Sequence, residues 1–120
     1  MMDVKKERRQ HPRVPAHLTV ETAGPEGTEL TLVTGNLSLG GFHCRVSRYI
    51  PKSTHLTVKL ELPFPERSEW LTAEGEVVRV KPQEPVEGRN DYRLALQFTR
   101  LYGRDRQLLG RYLEQHYKQR

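Results

Sequence analysis

From residue 17 onward, apolar and polar positions alternate with a period of two, the mark of strands that bury one face. Leu18 and Val20 open the pattern, and a turn through Ala23-Gly24-Pro25-Glu26-Gly27 closes it. Leu30 and Leu32 carry a second strand into Gly35-Asn36-Leu37-Ser38-Leu39-Gly40-Gly41. Phe42, Cys44 and Val46 alternate with His43 and Arg45 in a third. Leu56, Val58, Leu60 and Leu62 hold the period in a fourth, with Thr57, Lys59 and Glu61 opposite. Leu71 and Ala73 begin a fifth strand that resumes at Val78 and Val80, around a bulge expected near Gly75. Tyr92, Leu94, Leu96 and Phe98 make the sixth, with Arg93 and Gln97 outward. Proline and glycine collect in the loops, at Leu62-Pro63-Phe64-Pro65 and between Lys81 and Gly88.

The period then changes. Leu101, Leu108, Leu109, Tyr112, Leu113 and His116 or Tyr117 fall at helical spacing, which predicts one amphipathic helix over about residues 104–118. Six short strands and a terminal helix, without the spacing of parallel crossovers, give an all-β fold in the main. The expected architecture is a six-stranded antiparallel barrel with a C-terminal α-helix. A lone amphipathic helix of this length is marginal in water, so it must bury its stripe on the barrel.

The chain has 120 residues, one domain's worth, and 35% of them are hydrophobic. Of its net charge of +5, residues 1–13 carry +3, through Lys5, Lys6, Arg8, Arg9 and Arg13 against Asp3 and Glu7. This predicts a flexible basic arm, residues 1–14, ahead of a single domain at 15–120. Such an arm is either a solubilising terminus or a phosphate clamp, since arginine matches phosphate oxygens with paired donors. Pro12 and Pro15 bracket Arg13 and stiffen the approach to the sheet, which favours the clamp. No apolar run nears the ~20 residues that span a bilayer, and the charged start lacks a leader's apolar core. A cytoplasmic protein without membrane insertion is expected.

Catalytic chemistry finds little footing. The five histidines (His11, His17, His43, His55 and His116) are scattered, and zinc spacing, nucleophile elbow and phosphate loop are missing. The one cysteine, Cys44, falls in phase with Phe42 and Val46 and reads as core. A non-enzyme without a cofactor or bound metal is expected. Two features remain: Arg9-Gln10-His11-Pro12-Arg13, with Arg8 before it, and the turn Asn36-Leu37-Ser38-Leu39-Gly40-Gly41. Taken alone, the first is a common basic run. The second is a turn whose Asn36 and Ser38 bond the backbone.

In this order, Arg-x-x-x-Arg followed by Asn-x-Ser-x-x-Gly resembles the signature of the PilZ domain family, whose members bind the bacterial second messenger cyclic di-GMP. Glu76 to Val80, Tyr92 to Phe98 and the terminal helix resemble the family's later elements, so the likeness runs from about residue 7 to the end, as in a stand-alone member. The resemblance implies a cyclic di-GMP site formed by Arg9, Arg13, Asn36, Ser38 and Gly41. Gly41 would leave room for the ligand. Asn36 stands where many members carry Asp, which keeps an acceptor but gives up a charge. Arg8 joins the site as the residue implicated in binding a second nucleotide. The chemistry agrees: arginine chelates phosphate, reads the O6/N7 edge of guanine and stacks on its face. Arg79 and Arg93, outward on their strands, either flank the site or are ordinary surface charge.

The expected function is therefore a cyclic di-GMP receptor, taking up to two molecules, whose arm changes conformation on binding and signals to a downstream protein. Two alternatives stand beside it. One is a PilZ-like adaptor that binds no nucleotide. The other, less favoured because Phe42, Tyr92 and Phe98 fall in phase with the core, is a nucleic-acid-binding barrel. The helix leaves monomer and homodimer both open.

Overall fold

The computed structural model describes residues 14–15, 19–23 and 29–118, with side chains from Asn36 to His116. The described chain forms strands β1 (Val14–Pro15), β2 (Thr19–Ala23), β3 (Glu29–Ser38), β4 (Gly41–Val46), β5 (His55–Pro63), β6 (Ser68–Lys81) and β7 (Tyr92–Arg100), then helix α1 (Gly103–Lys118). All pairings are antiparallel, in the order β1-β3-β2-β5-β6-β7-β4, and β3 also pairs with β4. That last pairing joins the two ends of the sheet, so β3, β2, β5, β6, β7 and β4 form a ring. The fold class is the expected one. Seven strands replace the expected six because the first is divided: β1 and β2 lie in succession along one edge of β3, facing Leu37–Asn36 and Val33–Glu29 respectively. Among the described residues the sheet starts at Val14, a residue that the sequence reading assigned to the arm. Leu18 lies outside the described residues.

Alternation fills the barrel. Phe42, Cys44 and Val46 of β4, Leu56 to Leu62 of β5, and Tyr92, Leu94 and Leu96 of β7 turn inward, and the residues between them face outward or sit half-buried. Burying each such apolar side chain is worth roughly 1.5–3 kcal/mol. In β6 the pattern departs from expectation. Register breaks occur at Glu74/Gly75, as predicted, and again at Val77/Arg79. The second break makes Val77 the core residue, 0% exposed, and pushes Val78 out to 37%. Strict alternation from Val80 had placed Val78 inside; the extra residue shifts the face by one.

Helix α1 buries Leu108, Leu109, Tyr112 and Leu113, as its spacing predicts, and packs on β6 and β1. Tyr112 meets Phe64 edge-on at 6.0 Å, and the Arg111 guanidinium covers that ring at 4.8 Å. The helix start also serves the sheet. Strand β7 accompanies β6 only from Glu74 onward, so the edge of β6 before it has no strand neighbour on that side among the described residues. The Asp105 carboxylate accepts the Thr72 N–H at 3.2 Å, and Arg104 donates to the Trp70 carbonyl at 3.5 Å and to Glu69 at 3.0 Å.

Candidate functional site

Asn36, Leu37 and Ser38 end β3. Leu37 is buried in the core, so its neighbours Asn36 and Ser38 belong to the outer face of the strand. Asn36 is half-buried. Ser38 is 6% exposed and ties the corner together: its Oγ accepts the Gly40 N–H at 3.0 Å and donates to the Gly41 carbonyl at 3.4 Å. The Gly40 carbonyl in turn accepts the Phe98 N–H of β7 at 2.8 Å, which anchors the corner to the neighbouring strand.

Gly41 opens β4 with φ 154°, in a region that side chains disfavour. A Cβ there would collide with the Leu96 carbonyl oxygen of β7. Sheet packing alone therefore requires a glycine at this position.

Strand β1 reaches this corner from the other side. Val14 pairs with Leu37 and Pro15 with Asn36, so the backbone that follows the basic run joins the sheet next to the Asn-x-Ser turn. Arg8, Arg9 and Arg13 themselves lie outside the described residues. Of the predicted site residues, the structure thus brings together Asn36, Ser38 and Gly41 in one corner, flanked by β1.

The register extends the corner into a face. Asn36 stands opposite His43, His43 opposite Ala95, and Ala95 opposite Arg79, a row that crosses β3, β4, β7 and β6 at about 4.8 Å per strand. Ala95 is small, and the half-buried His43 stands between it and Asn36. A second row holds Arg45, Arg93 and Lys81. Arg45 grips Asp91 with two hydrogen bonds, of 3.3 and 3.0 Å. The hydrogen bond from Arg45, helped by the charges of Arg45, Arg89 and Arg93, holds the Asp91 carboxyl below the usual carboxylate range. Sequence reasoning passed over His43 and Ala95. Their place in the row depends on which strands pair and in what register, and neither is written in local patterning.

Chemically, the corner offers an amide, a hydroxyl and backbone polar groups, with the Arg79 cation farther along its row, which suits an anionic guest that also needs hydrogen bonds. Among the described residues, no three His, Cys, Asp or Glu side chains gather to hold a metal, and no helix is long and apolar enough to cross a membrane.

The PilZ domain family description matches residues 7–115 of the chain. No curated protein matches it. Among solved structures, the Bacillus subtilis inhibitor of motility MotI/DgrA aligns over 96% of this chain and 54% of its own, with a TM-score of 0.76 and 22% identity. The PilZ domain of Escherichia coli YcgR, solved with c-di-GMP, aligns over 94% of both chains, with a TM-score of 0.68 and 14% identity. The K. pneumoniae MrkH–c-di-GMP complex aligns over 95% of this chain and 54% of its own, with a TM-score of 0.68 and 14% identity. The chain spans about half the length of the first and third of these proteins. At such identities the likeness is one of fold.

Proposed function

The chain belongs to the PilZ domain family, and from that premise we propose that it is a receptor for cyclic di-GMP and not a catalyst. The observation that carries this reading is the pairing of Val14 and Pro15 with Leu37 and Asn36. Arg13 is covalently next to Val14, and Arg9 lies four residues before Arg13 in the sequence, which supports a site that joins the two motifs at this corner. Arg9 and Arg13 supply cations for the two phosphates and donors for the guanine edge. Asn36 and Ser38 supply hydrogen bonds from the sheet. Arg8 serves a second nucleotide.

The mechanism is a switch in the arm. Five basic side chains in thirteen residues repel one another until a dianion neutralises them. Bound nucleotide then draws the arm onto the Asn36–Gly41 corner, and the new surface signals to a protein downstream. The YcgR and MrkH structures named above, both solved with c-di-GMP, support the choice of ligand.

Titration calorimetry with cyclic di-GMP tests the reading. Each charge-assisted contact is worth about 1.5–3 kcal/mol, so Arg9→Ala and Arg13→Ala each weaken binding at least ~10-fold. Arg8→Ala lowers the stoichiometry from two towards one. Unchanged affinity in both of the first two variants, with the fold intact by circular dichroism, overturns the assignment. A second reading, an adaptor without nucleotide, is favoured by the Ser38 hydroxyl being already engaged within its own turn; absence of any binding by the wild-type chain would select it.

A further inference from the structure

Lys81, Arg93 and Arg45 lie directly opposite one another on β6, β7 and β4, all three exposed on the outer face. Like charges in cross-strand register repel, so the row is unfavourable except where an anion offsets it, as Asp91 does for Arg45 and, more weakly, for Arg93. Arg45 has its carboxylate in Asp91. Lys81 and Arg93 make no side-chain hydrogen bond or ion pair among the described residues. Outside residues 1–13 the chain is nearly neutral, at +2, so the row concentrates charge that the body as a whole does not carry.

We propose that this row is a docking strip for an acidic segment of a partner protein, a site separate from the Asn36 corner and not dependent on nucleotide binding. The Asp91 pair shows the chemistry on a small scale: two guanidinium nitrogens of Arg45 hold a carboxylate that the chain itself supplies from beside β7. A carboxylate from a partner meets the same donors on Arg93 and an ammonium on Lys81, one strand step apart. The face favours a protein over a nucleic acid, since no exposed aromatic stands in the strip to stack a base; Trp70 and Tyr102, exposed, belong to the stretch of β6 before Glu74 and to the approach to α1. Glu76, opposite Gln97, bounds the face on the side away from Asp91.

The test uses a fluorescein-labelled ten-residue glutamate peptide and the full chain without nucleotide, followed by anisotropy at low salt. Binding is expected, weakening as salt rises. Lys81→Gln/Arg93→Gln should lower the affinity about 5- to 10-fold, while Lys59→Gln/Arg106→Gln, neutralising two cations elsewhere, changes it less than about 2-fold. Asp91→Asn removes the internal competitor and should raise it. Three results would overturn the proposal: equal losses in both double variants, tighter binding of a ten-nucleotide uridylate through the same two residues, or no peptide binding by the wild-type chain. Cyclic di-GMP affinity, titrated separately, should be retained in Lys81→Gln/Arg93→Gln. Its loss there would make the strip part of the nucleotide site and equally defeat the inference, whereas absence of nucleotide binding in the wild-type chain touches only the receptor reading.

Discussion

Gly41 is fixed by its neighbours before any guest arrives. Its φ of 154° and the Leu96 carbonyl of β7 leave no place for a methyl group. Gly41→Ala should therefore cost about 3 kcal/mol, from backbone strain and from the parting of β4 and β7, and lower the urea midpoint accordingly. A variant as stable as wild type would show that the strands can yield there. Ser38 makes the same point more mildly, because its hydroxyl serves Gly40 and Gly41 and closes the turn. The sequence marked both residues through a motif. Ser38 bonding its own turn was legible there too; the Leu96 carbonyl that requires a glycine at Gly41 was not, because Leu96 is more than fifty residues away.

Strand β6 shows how an element acquires a face that its sequence leaves ambiguous. Glu76-Val77-Val78-Arg79-Val80 admits two phases, and only the bulge at Val77/Arg79 decides between them, by pairing Val77 with Leu96 and Val80 with Leu94. The consequence is measurable. Val77→Ala should destabilise the fold by about 2 kcal/mol, through lost burial and a residual cavity, whereas Val78→Ala should stay within about 0.5 kcal/mol. Equal effects in chemical denaturation would mean that the register is misassigned. The same bulge sets Arg79 opposite Ala95 on the outer face. Helix α1 answers a different need of β6, the edge before Glu74 that β7 does not accompany, through Asp105 and Arg104. Its amphipathic stripe was legible in the sequence. Its service to the sheet edge was not, since a side chain standing in for a missing strand leaves no periodic trace.

At the scale of the whole molecule, the β3–β4 pairing closes the ring and seals Cys44 inside. Burial pushes its thiol from 9.0 up to about 12, because the thiolate would forfeit its hydration. In the unfolded chain the group ionises near its ordinary value. The stabilising share of the neutral thiol is therefore complete below about 9 and is lost as pH climbs towards about 12. The difference in melting temperature between wild type and Cys44→Ala should accordingly narrow as the pH is raised from about 8 to about 10.5. A constant difference would mean that the thiol ionises alike in both states. Ring closure also decides which residues share the outer face around Asn36. The alternation of apolar residues, the change of period near residue 101, the inward phase of Cys44 and the two polar motifs were determined by the sequence, because each rests on spacings of a few residues that local geometry obeys. That β1 lies against Asn36, that His43, Ala95 and Arg79 continue its row, and that Arg45, Arg93 and Lys81 stand shoulder to shoulder were decided by tertiary structure alone. Those neighbours are joined by hydrogen bonds between strands distant along the chain, and a shift of one residue in any register would send each of them to the opposite face.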